Sequence, residues 1–361
     1  MISSVLDSYG IDSKSSEIVP LVDGLINRTW KITTGEKQYI LQQINDHVFK
    51  RPGDIAENIR MIDDYLKKCC PDYLFVSPLR TIDQKELVVE NKGYYRLFPY
   101  IRGSHTISVV TTPDQAFEAS FQFGQFTRLL SGFDATKLHI TIPGFHDLPL
   151  REFQFEEALR NGNRTRIKES DSLIHDITRH EYILRGYERI RKNRFVKQRV
   201  MHHDTKISNV LFDEKGKGIC VIDLDTVMPG YFISDVGDMM RTYLSPASEE
   251  EQDFSKIEVR EDIFRAIVQG YVSTMGEELT TEEHGLIFYA GLFLIYMQAV
   301  RFLADHFNDD VYYGAKYEGH NFNRAGNQLY LLKRLEEKRG VFEKIIADEL
   351  NKKTHFQFPG S

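Results

Sequence analysis

The alternation of apolar and polar positions changes character about a third of the way along the chain. Before residue 100, short apolar/polar runs are punctuated by turn residues. Ile18–Val22, Thr29–Thr33, Gln38–Ile44, Leu87–Glu90 and Tyr94–Phe98 read as strands, with Thr34-Gly35-Glu36-Lys37 and Asn91-Lys92-Gly93 as turns. One helix interrupts them: Ile55, Ile59, Ile62, Leu66 and Cys69 recur at helical spacing, and Asp54-Ile55-Ala56-Glu57 reads as its capping-box start. From Thr112 the period is helical. Phe123, Phe126, Leu130 and Phe133 share one face, Arg151–Leu159 forms a further helix, and Leu286–Leu303 is apolar almost all round, as a core helix is. The charged stretch Arg160–Arg194 reads as a solvated helix pair, and the acidic stretch Ser245–Lys256 as a mobile loop. The expectation is an α+β chain, with a mainly antiparallel β lobe over 1–100 and a helical lobe over 101–361.

One hairpin breaks the helical half. Val210–Phe212 and Gly218–Ile222 flank the polar, glycine-containing segment Asp213–Lys217. Antiparallel pairing places Asn209, before the first strand, beside Asp223, after the second. Asp204 lies five residues upstream, in the loop feeding the hairpin. An Asn and two Asp at one end of a hairpin offer oxygen ligands for a hard cation such as Mg²⁺, with one carboxylate left over as a base. Phosphoryl transfer needs that combination: positioning, Mg²⁺ on the phosphates, and a carboxylate facing the attacking hydroxyl. His202-His203-Asp204-Thr205-Lys206-Ile207-Ser208-Asn209 matches the H-x-D-x-x-x-x-N loop of kinases. On this reading Asp204 is the base, Asn209 and Asp223 hold Mg²⁺, Lys206 faces the γ-phosphate and His202 is structural. Any one of these residues alone is an ordinary polar loop residue; the ordered set carries the reading.

Composition narrows the partners. The 361 residues are 41% hydrophobic and 27% charged, ordinary for a globular protein. A net charge of −7 argues against a nucleic-acid or anionic-membrane binder. The N-terminus MISSVLDSYGIDS lacks a basic start and an apolar core, so no secretory signal is expected and the cytoplasm is. Three cysteines, two of them adjacent, suggest neither a disulfide framework nor a zinc site. The run Leu286–Met297 is too short to span a bilayer.

The wider stretch is more specific. Asp223-Leu224-Asp225-Thr226 followed by Asp235-Val236-Gly237-Asp238 resembles the aminoglycoside phosphotransferase-like branch of the protein-kinase-like fold, which includes choline, homoserine and sugar kinases. Within it, HHDTKISN, VIDLDTVMPG and SDVGDMMR are most similar to N-acetylhexosamine 1-kinases, as are Phe145-His146-Asp147, Arg301-Phe302-Leu303 with Asp309–Tyr313, and Asn321–Leu332. The resemblance implies a bilobal fold and ATP-dependent, Mg²⁺-assisted phosphorylation of the anomeric C1 hydroxyl of GlcNAc or GalNAc. It implies that the turn with Gly24 and Asn27 covers the nucleotide phosphates, although on the residues alone a plain hairpin turn fits equally. It makes Phe98–Ile101, with Phe98 and Tyr100, the hinge that meets adenine; a plain linker fits the same residues. Arg301 and Tyr312 fall in the sugar-pocket segment, with Asp305 as a structural alternative partner for the arginine. Asp235 and Asp238 read as scaffold with Arg241, and His146 as a loop-ordering histidine.

One position departs from the kinase pattern. Gln42 stands where a strand lysine pairs with the α/β-phosphates. Either the protein is a nucleotide-binding pseudokinase, or the charge is met by metal and Lys206; the intact Asp204, Asn209, Asp223 and Lys206 favour the second. A kinase of another small alcohol (choline, an amino alcohol, homoserine) is the rival activity, and Arg301 would repel a choline cation. The expected partners are a small sugar and ATP, with no nucleic acid and no membrane.

Overall fold

Strand pairing follows from the turn chemistry. The computed structural model describes residues 2–21 and 27–354. β1 (Ser16–Leu21), β2 (Arg28–Thr34) and β3 (Lys37–Ile44) form an antiparallel meander in which Thr34 pairs with Lys37 across Gly35, at φ 55°. β4 (Val88–Glu90) and β5 (Gly93–Pro99) are joined by Asn91 and Lys92, both at positive φ as a tight two-residue hairpin requires. β5 then pairs with β3, giving the antiparallel order β1-β2-β3-β5-β4. One face buries Ile32, Leu41, Tyr95 and Leu97 against Val5 and Leu6 of the short helix α1 (Ile2–Asp7). On β3 the next residue after Leu41 is Gln42, whose strand partner is Arg96. Gly24 lies outside the described residues.

α2 (Pro52–Cys69) buries Ile55, Ile59, Ile62 and Leu66 as its spacing predicts, but Cys69 is exposed. Its start differs from expectation. Pro52 occupies the first turn and Arg51 is the N-cap, so the Asp54–Glu57 capping box does not form. Proline's fixed φ and missing N–H suit the first turn and set the boundary three residues earlier. Asp54 instead pairs with Arg51 at 3.0 Å, and Glu57 with His139 at 2.9 Å. Residues Met1–His105, Gly132–Pro143 and Leu211–Pro229 form one compact unit; Thr106–Ser131, Gly144–Val210 and Gly230–Ser361 form a second.

The second unit begins with α3 (Pro113–Leu129), held by a complete capping box between Thr112 and Gln115. α3 ends before Phe133, which belongs to the first unit and packs edge-on to Tyr65 at 5.4 Å. The Ser131-Gly132 break stops the helix, and a Cβ at Gly132 would fall 2.6 Å from the Tyr65 hydroxyl. α4 (Leu148–Asn161) is followed by α5 (Arg164–Glu169), α6 (Asp171–Arg179) and α7 (Tyr182–Lys192). This charged stretch is not a solvated pair: Ile177, Ile183, Tyr187 and Ile190 are buried, and Tyr187 stacks on Phe293 at 4.9 Å. Then come β6 (Gln198–Met201), β7 (Val210–Phe212), β8 (Gly218–Val221), β9 (Met228–Tyr231) and α8 (Ile233–Tyr243). β7 and β8 form the expected hairpin, and β6 pairs with β9.

The acidic stretch 245–256 is pinned rather than loose. Glu249 bonds to Arg241 at 2.7 Å and to Arg324, Glu250 to His320 at 2.7 Å, and the Asn327 amide donates to the Ser248 and Glu251 carbonyls, both at 3.0 Å. The remaining helices are α9 (Glu261–Met275), α10 (Thr281–His284), α11 (Ile287–Phe307), α12 (His320–Glu337) and α13 (Arg339–Thr354). α11 is long and apolar enough to cross a membrane by composition, yet 83% of its most apolar window is buried inside the protein.

Candidate active site

The 202–209 loop is shaped by the helix that follows it. His203 adopts a left-handed conformation, φ 66°, which costs a non-glycine residue about 1–3 kcal/mol unless its surroundings impose it. α8 does so. The Asp235 carboxylate accepts the His202 and His203 N–H at 3.0 and 2.8 Å, and Asp238 accepts the Thr205 N–H at 2.8 Å. The Thr205 hydroxyl donates to the Asp235 carbonyl at 2.8 Å, and Tyr243 donates to the Thr205 carbonyl at 2.6 Å. Asp235 and Asp238 are scaffold as expected, with Arg241 donating to Asp238 at 2.9 and 3.1 Å. Burial is the main reason the Asp235 carboxyl is pushed up to about 7. His202 is fully buried, edge-on to Phe123 at 5.1 Å, which suits the structural role its sequence position suggests.

Within this loop Asp204, Lys206 and Asn209 converge. The Asn209 amide donates to the Asp204 carbonyl and carboxylate at 2.9 and 3.1 Å, and the Lys206 ammonium lies 3.2 Å from the other carboxylate oxygen. Burial would raise the Asp204 carboxyl, but Lys206 and His202 outweigh it and hold it below the ordinary carboxylate value. Asp204 in turn raises Lys206. Asp204 is therefore an ionised acceptor at neutral pH, fixed on one side and partly open to solvent. Among the described residues the Asn209 side-chain oxygen accepts no hydrogen bond, so an oxygen suited to a hard cation stands ready. Asp223 belongs to the first unit, where it sits in a left-handed conformation, φ 59°, at the start of the turn Leu224–Thr226.

A second feature of the second unit is a cavity of about 450 Å³ between α4, α11 and the turn after α11. Its lining includes Arg151, Glu157, Arg301, Asp305, Tyr312 and Tyr313. Asp305 does not pair with Arg301. It accepts the Tyr312 and Tyr313 N–H at 2.8 and 2.9 Å and the Asn321 amide at 3.1 Å, and so shapes the turn that carries both tyrosines. Among the described residues Arg301 has no carboxylate partner. It donates to Gln298 at 3.2 Å and lies over the rings of Tyr313, Phe145 and Tyr312 at 5.4, 5.6 and 5.8 Å. Arg151, nine-tenths buried, fastens the preceding loop by donating to the Gly144 and Phe145 carbonyls at 2.7 and 3.2 Å. Burial and Arg301 pull it down to about 10, so it stays charged at neutral pH.

Aromatic contacts connect loop and cavity. His203 meets His146 at 3.3 Å between Nδ1 atoms, His146 stacks on Phe145 at 4.4 Å, and Phe145 faces Arg301. Burial, with His203 and Arg301 nearby, holds His146 well below its ordinary value, so it is neutral. His146 orders this junction. Arg151 and Phe145 were missed as site residues in the sequence, because their neighbours are set only by helix packing.

In the first unit, Asn27, Gln42 and Phe98 gather around Arg96. Arg96 donates twice to the Gln42 carbonyl oxygen, at 2.9 and 3.1 Å, and lies over the Phe98 ring at 5.0 Å. Its remaining nitrogen is 2.5 Å from an Asp225 oxygen, and the Asn27 amide donates to the other at 2.8 Å. Tyr100 stands apart from this cluster, with Lys31 over its ring at 4.3 Å and its N–H on the Gln38 carbonyl at 3.1 Å. Arg96 and Asp225 were also missed as partners; strand register sets Arg96 beside Gln42, and packing of the turn Leu224–Thr226 brings Asp225 to it.

Comparison with known proteins identifies the family and the fold. Residues 17–266 match the model of the Phosphotransferase enzyme family (APH). Among solved structures, the chain is similar to a microcompartment-associated aminopropanol kinase (15% identity, TM-score 0.64, covering 95% of this chain and 98% of that one). It is also similar to a spectinomycin phosphotransferase (14%, 0.56, 96% and 97%) and to choline kinase from Cryptosporidium parvum Iowa II (10%, 0.57, 97% and 99%). At these identities the structural likeness establishes the fold, an N-terminal antiparallel sheet region followed by a helical region, as expected from the apolar pattern. The family match spans well over half of the chain, and the protein belongs to the APH phosphotransferase family as a small-molecule kinase.

Proposed function

We propose that the protein uses ATP to phosphorylate the anomeric C1 hydroxyl of an N-acetylhexosamine, GlcNAc or GalNAc. The observation that carries this reading is Arg301, a half-buried guanidinium that lines a cavity without a carboxylate partner among the described residues. Arg151 lines the same cavity, while the acids there are already engaged: Asp305 by two backbone N–H groups and Glu157 by Arg160 at 3.2 Å. Such a lining suits a neutral, oxygen-rich substrate and repels a cation. The structural neighbours include an aminopropanol kinase and a choline kinase, so an amino alcohol is the rival substrate.

In the proposed reaction Asp204 accepts the sugar hydroxyl proton as that oxygen bonds to the γ-phosphorus and the bond to the ADP oxygen breaks. Lys206, paired with Asp204 before substrate arrives, turns its charge to the transferring group. Asn209 and Asp223 would hold Mg²⁺, which supplies charge neutralisation on the phosphates. Arg301 and Tyr312 orient the sugar. The test is ATP turnover across amino sugars, neutral sugars and amino alcohols under one condition. Turnover of an amino alcohol with every sugar inert would refute the sugar assignment.

A further inference from the structure

Gln42 removes the strand lysine on which kinases rely, yet a buried cation stands beside it. Gln42 and Arg96 are paired residues on neighbouring strands, and both the Nε and one Nη of Arg96 donate to the single Gln42 carbonyl oxygen. The guanidinium is only 1% exposed. Its other end meets Asp225, equally buried, at 2.5 Å. Asp225 also accepts from Asn27 at 2.8 Å, and the Asn27 side-chain oxygen accepts the Asn45 N–H at 3.0 Å. One connected cluster therefore ties the start of β2, the end of β3, the middle of β5 and the turn Leu224–Thr226.

We propose that Arg96 is a positioning residue that performs the anchoring role of the missing strand lysine, gripping Asp225 so that Asp223 is held ready for Mg²⁺ and nucleotide. In kinases the strand lysine ion-pairs with a helix glutamate, and both must be in place for activity. Here Glu57 on α2 pairs with His139 on the surface, so it does not serve Arg96. The acid comes instead from the turn itself, two residues beyond Asp223. That placement has a consequence for Asp223, whose left-handed backbone, φ 59°, is unfavourable for a non-glycine residue unless its flanks are fixed. Gln42 is the acceptor that aims the guanidinium: its carbonyl takes the Nε and one Nη, and the other Nη is left in ion-pair contact with Asp225. A buried ion pair with no such duty has little to recommend it, since apolar replacements of equal volume are often as stable. The inference rests on the reading of Asp223 as a metal ligand, and is independent of which alcohol is phosphorylated.

The experiment is calorimetric titration of ATP, with saturating Mg²⁺ and again with EDTA, into wild type, Arg96→Met, Asp225→Asn, the double variant of these two, and the double variant Gln42→Lys/Arg96→Met. Supporting partners of a metal site typically contribute ~10–100-fold in affinity, so Arg96→Met should lose Mg-ATP affinity in that range and far less affinity for metal-free ATP. The Arg96→Met/Asp225→Asn protein should be no weaker than the worse single variant, because both act through one contact. Gln42→Lys/Arg96→Met should recover part of the loss by returning the cation to β3. The double variants also guard against misfolding, since neither leaves Asp225 as an unanswered buried charge. Unchanged Mg-ATP affinity in folded Arg96→Met, or an equal loss with and without Mg²⁺, overturns the role of Arg96. A wild-type protein that binds no Mg-ATP overturns the nucleotide reading itself.

Discussion

Glu249→Gln tests how the 202–209 loop is held from a distance. Glu249 bridges Arg241 and Arg324; Arg241 grips Asp238; and Asp238 accepts the Thr205 N–H, next to Asp204. Burial would raise the Glu249 carboxyl, but the two guanidinium groups outweigh it and bring it from 4.5 down to about 2. A depressed carboxyl stabilises the fold above its unfolded value and loses that stabilisation as pH falls through the folded one. At 1.36 kcal/mol per tenfold change in proton affinity, the charge contributes about 3 kcal/mol at pH 7. Glutamine mimics the protonated form, so the linkage relation predicts a stability gap of about 3 kcal/mol at pH 7, narrowing to about 2 at pH 3.5. Urea unfolding of both proteins across that range reads the gap directly, and the variant should also lose kcat as Arg241 relaxes. A gap that stays constant or widens on acidification would refute the argument that charge, rather than shape, makes Glu249 matter.

The other substitutions probe the chemistry itself. Asp204→Asn should fold and bind nucleotide yet lose at least ~10²–10⁴-fold in kcat, the usual contribution of a general base; near wild-type turnover would remove Asp204 from that role. Because Asp204 is held below the ordinary carboxylate value, kcat at saturating substrate should keep its Asp204-dependent activity below that value, and loss of that activity above the ordinary carboxylate range would contradict this assignment. Arg301→Met breaks no ion pair seen among the described residues, so it should shift the melting temperature little while sharply lowering kcat/KM for the sugar. Strong destabilisation with normal specific activity would return Arg301 to the scaffold.

Local chemistry was legible in the sequence; register and packing were not. The β7–β8 hairpin follows from two apolar runs around a glycine turn, and Asp235 and Asp238 from their place at the head of a helix. The start of α2 was misplaced because a capping-box pattern was weighed above Pro52, whose geometry decides the boundary. Phe133 fits the α3 periodicity, but Ser131-Gly132 breaks the helix before the pattern ends. The Ser245–Lys256 segment has the composition of a loose loop; its order comes from Arg241, Arg324, His320 and Asn327, distant in sequence. Asp305, one helical turn from Arg301, suggested an ion pair, yet backbone N–H groups claim its oxygens. Likewise Gln42 was visible where the kinase pattern leads one to expect a lysine, while its neighbour Arg96 emerges only once β3 and β5 are aligned.

The central claim is the identity of the phosphorylated oxygen, and phosphorus NMR of the product tests it most directly. Wild-type protein would be incubated with ATP, Mg²⁺ and, separately, GlcNAc, GalNAc, aminopropanol, choline and homoserine. The account predicts a sugar product whose phosphorus couples to the anomeric proton, absent with Asp204→Asn, and no phosphorylated amino alcohol. A phosphate on any other sugar oxygen, or turnover confined to the amino alcohols, would contradict it.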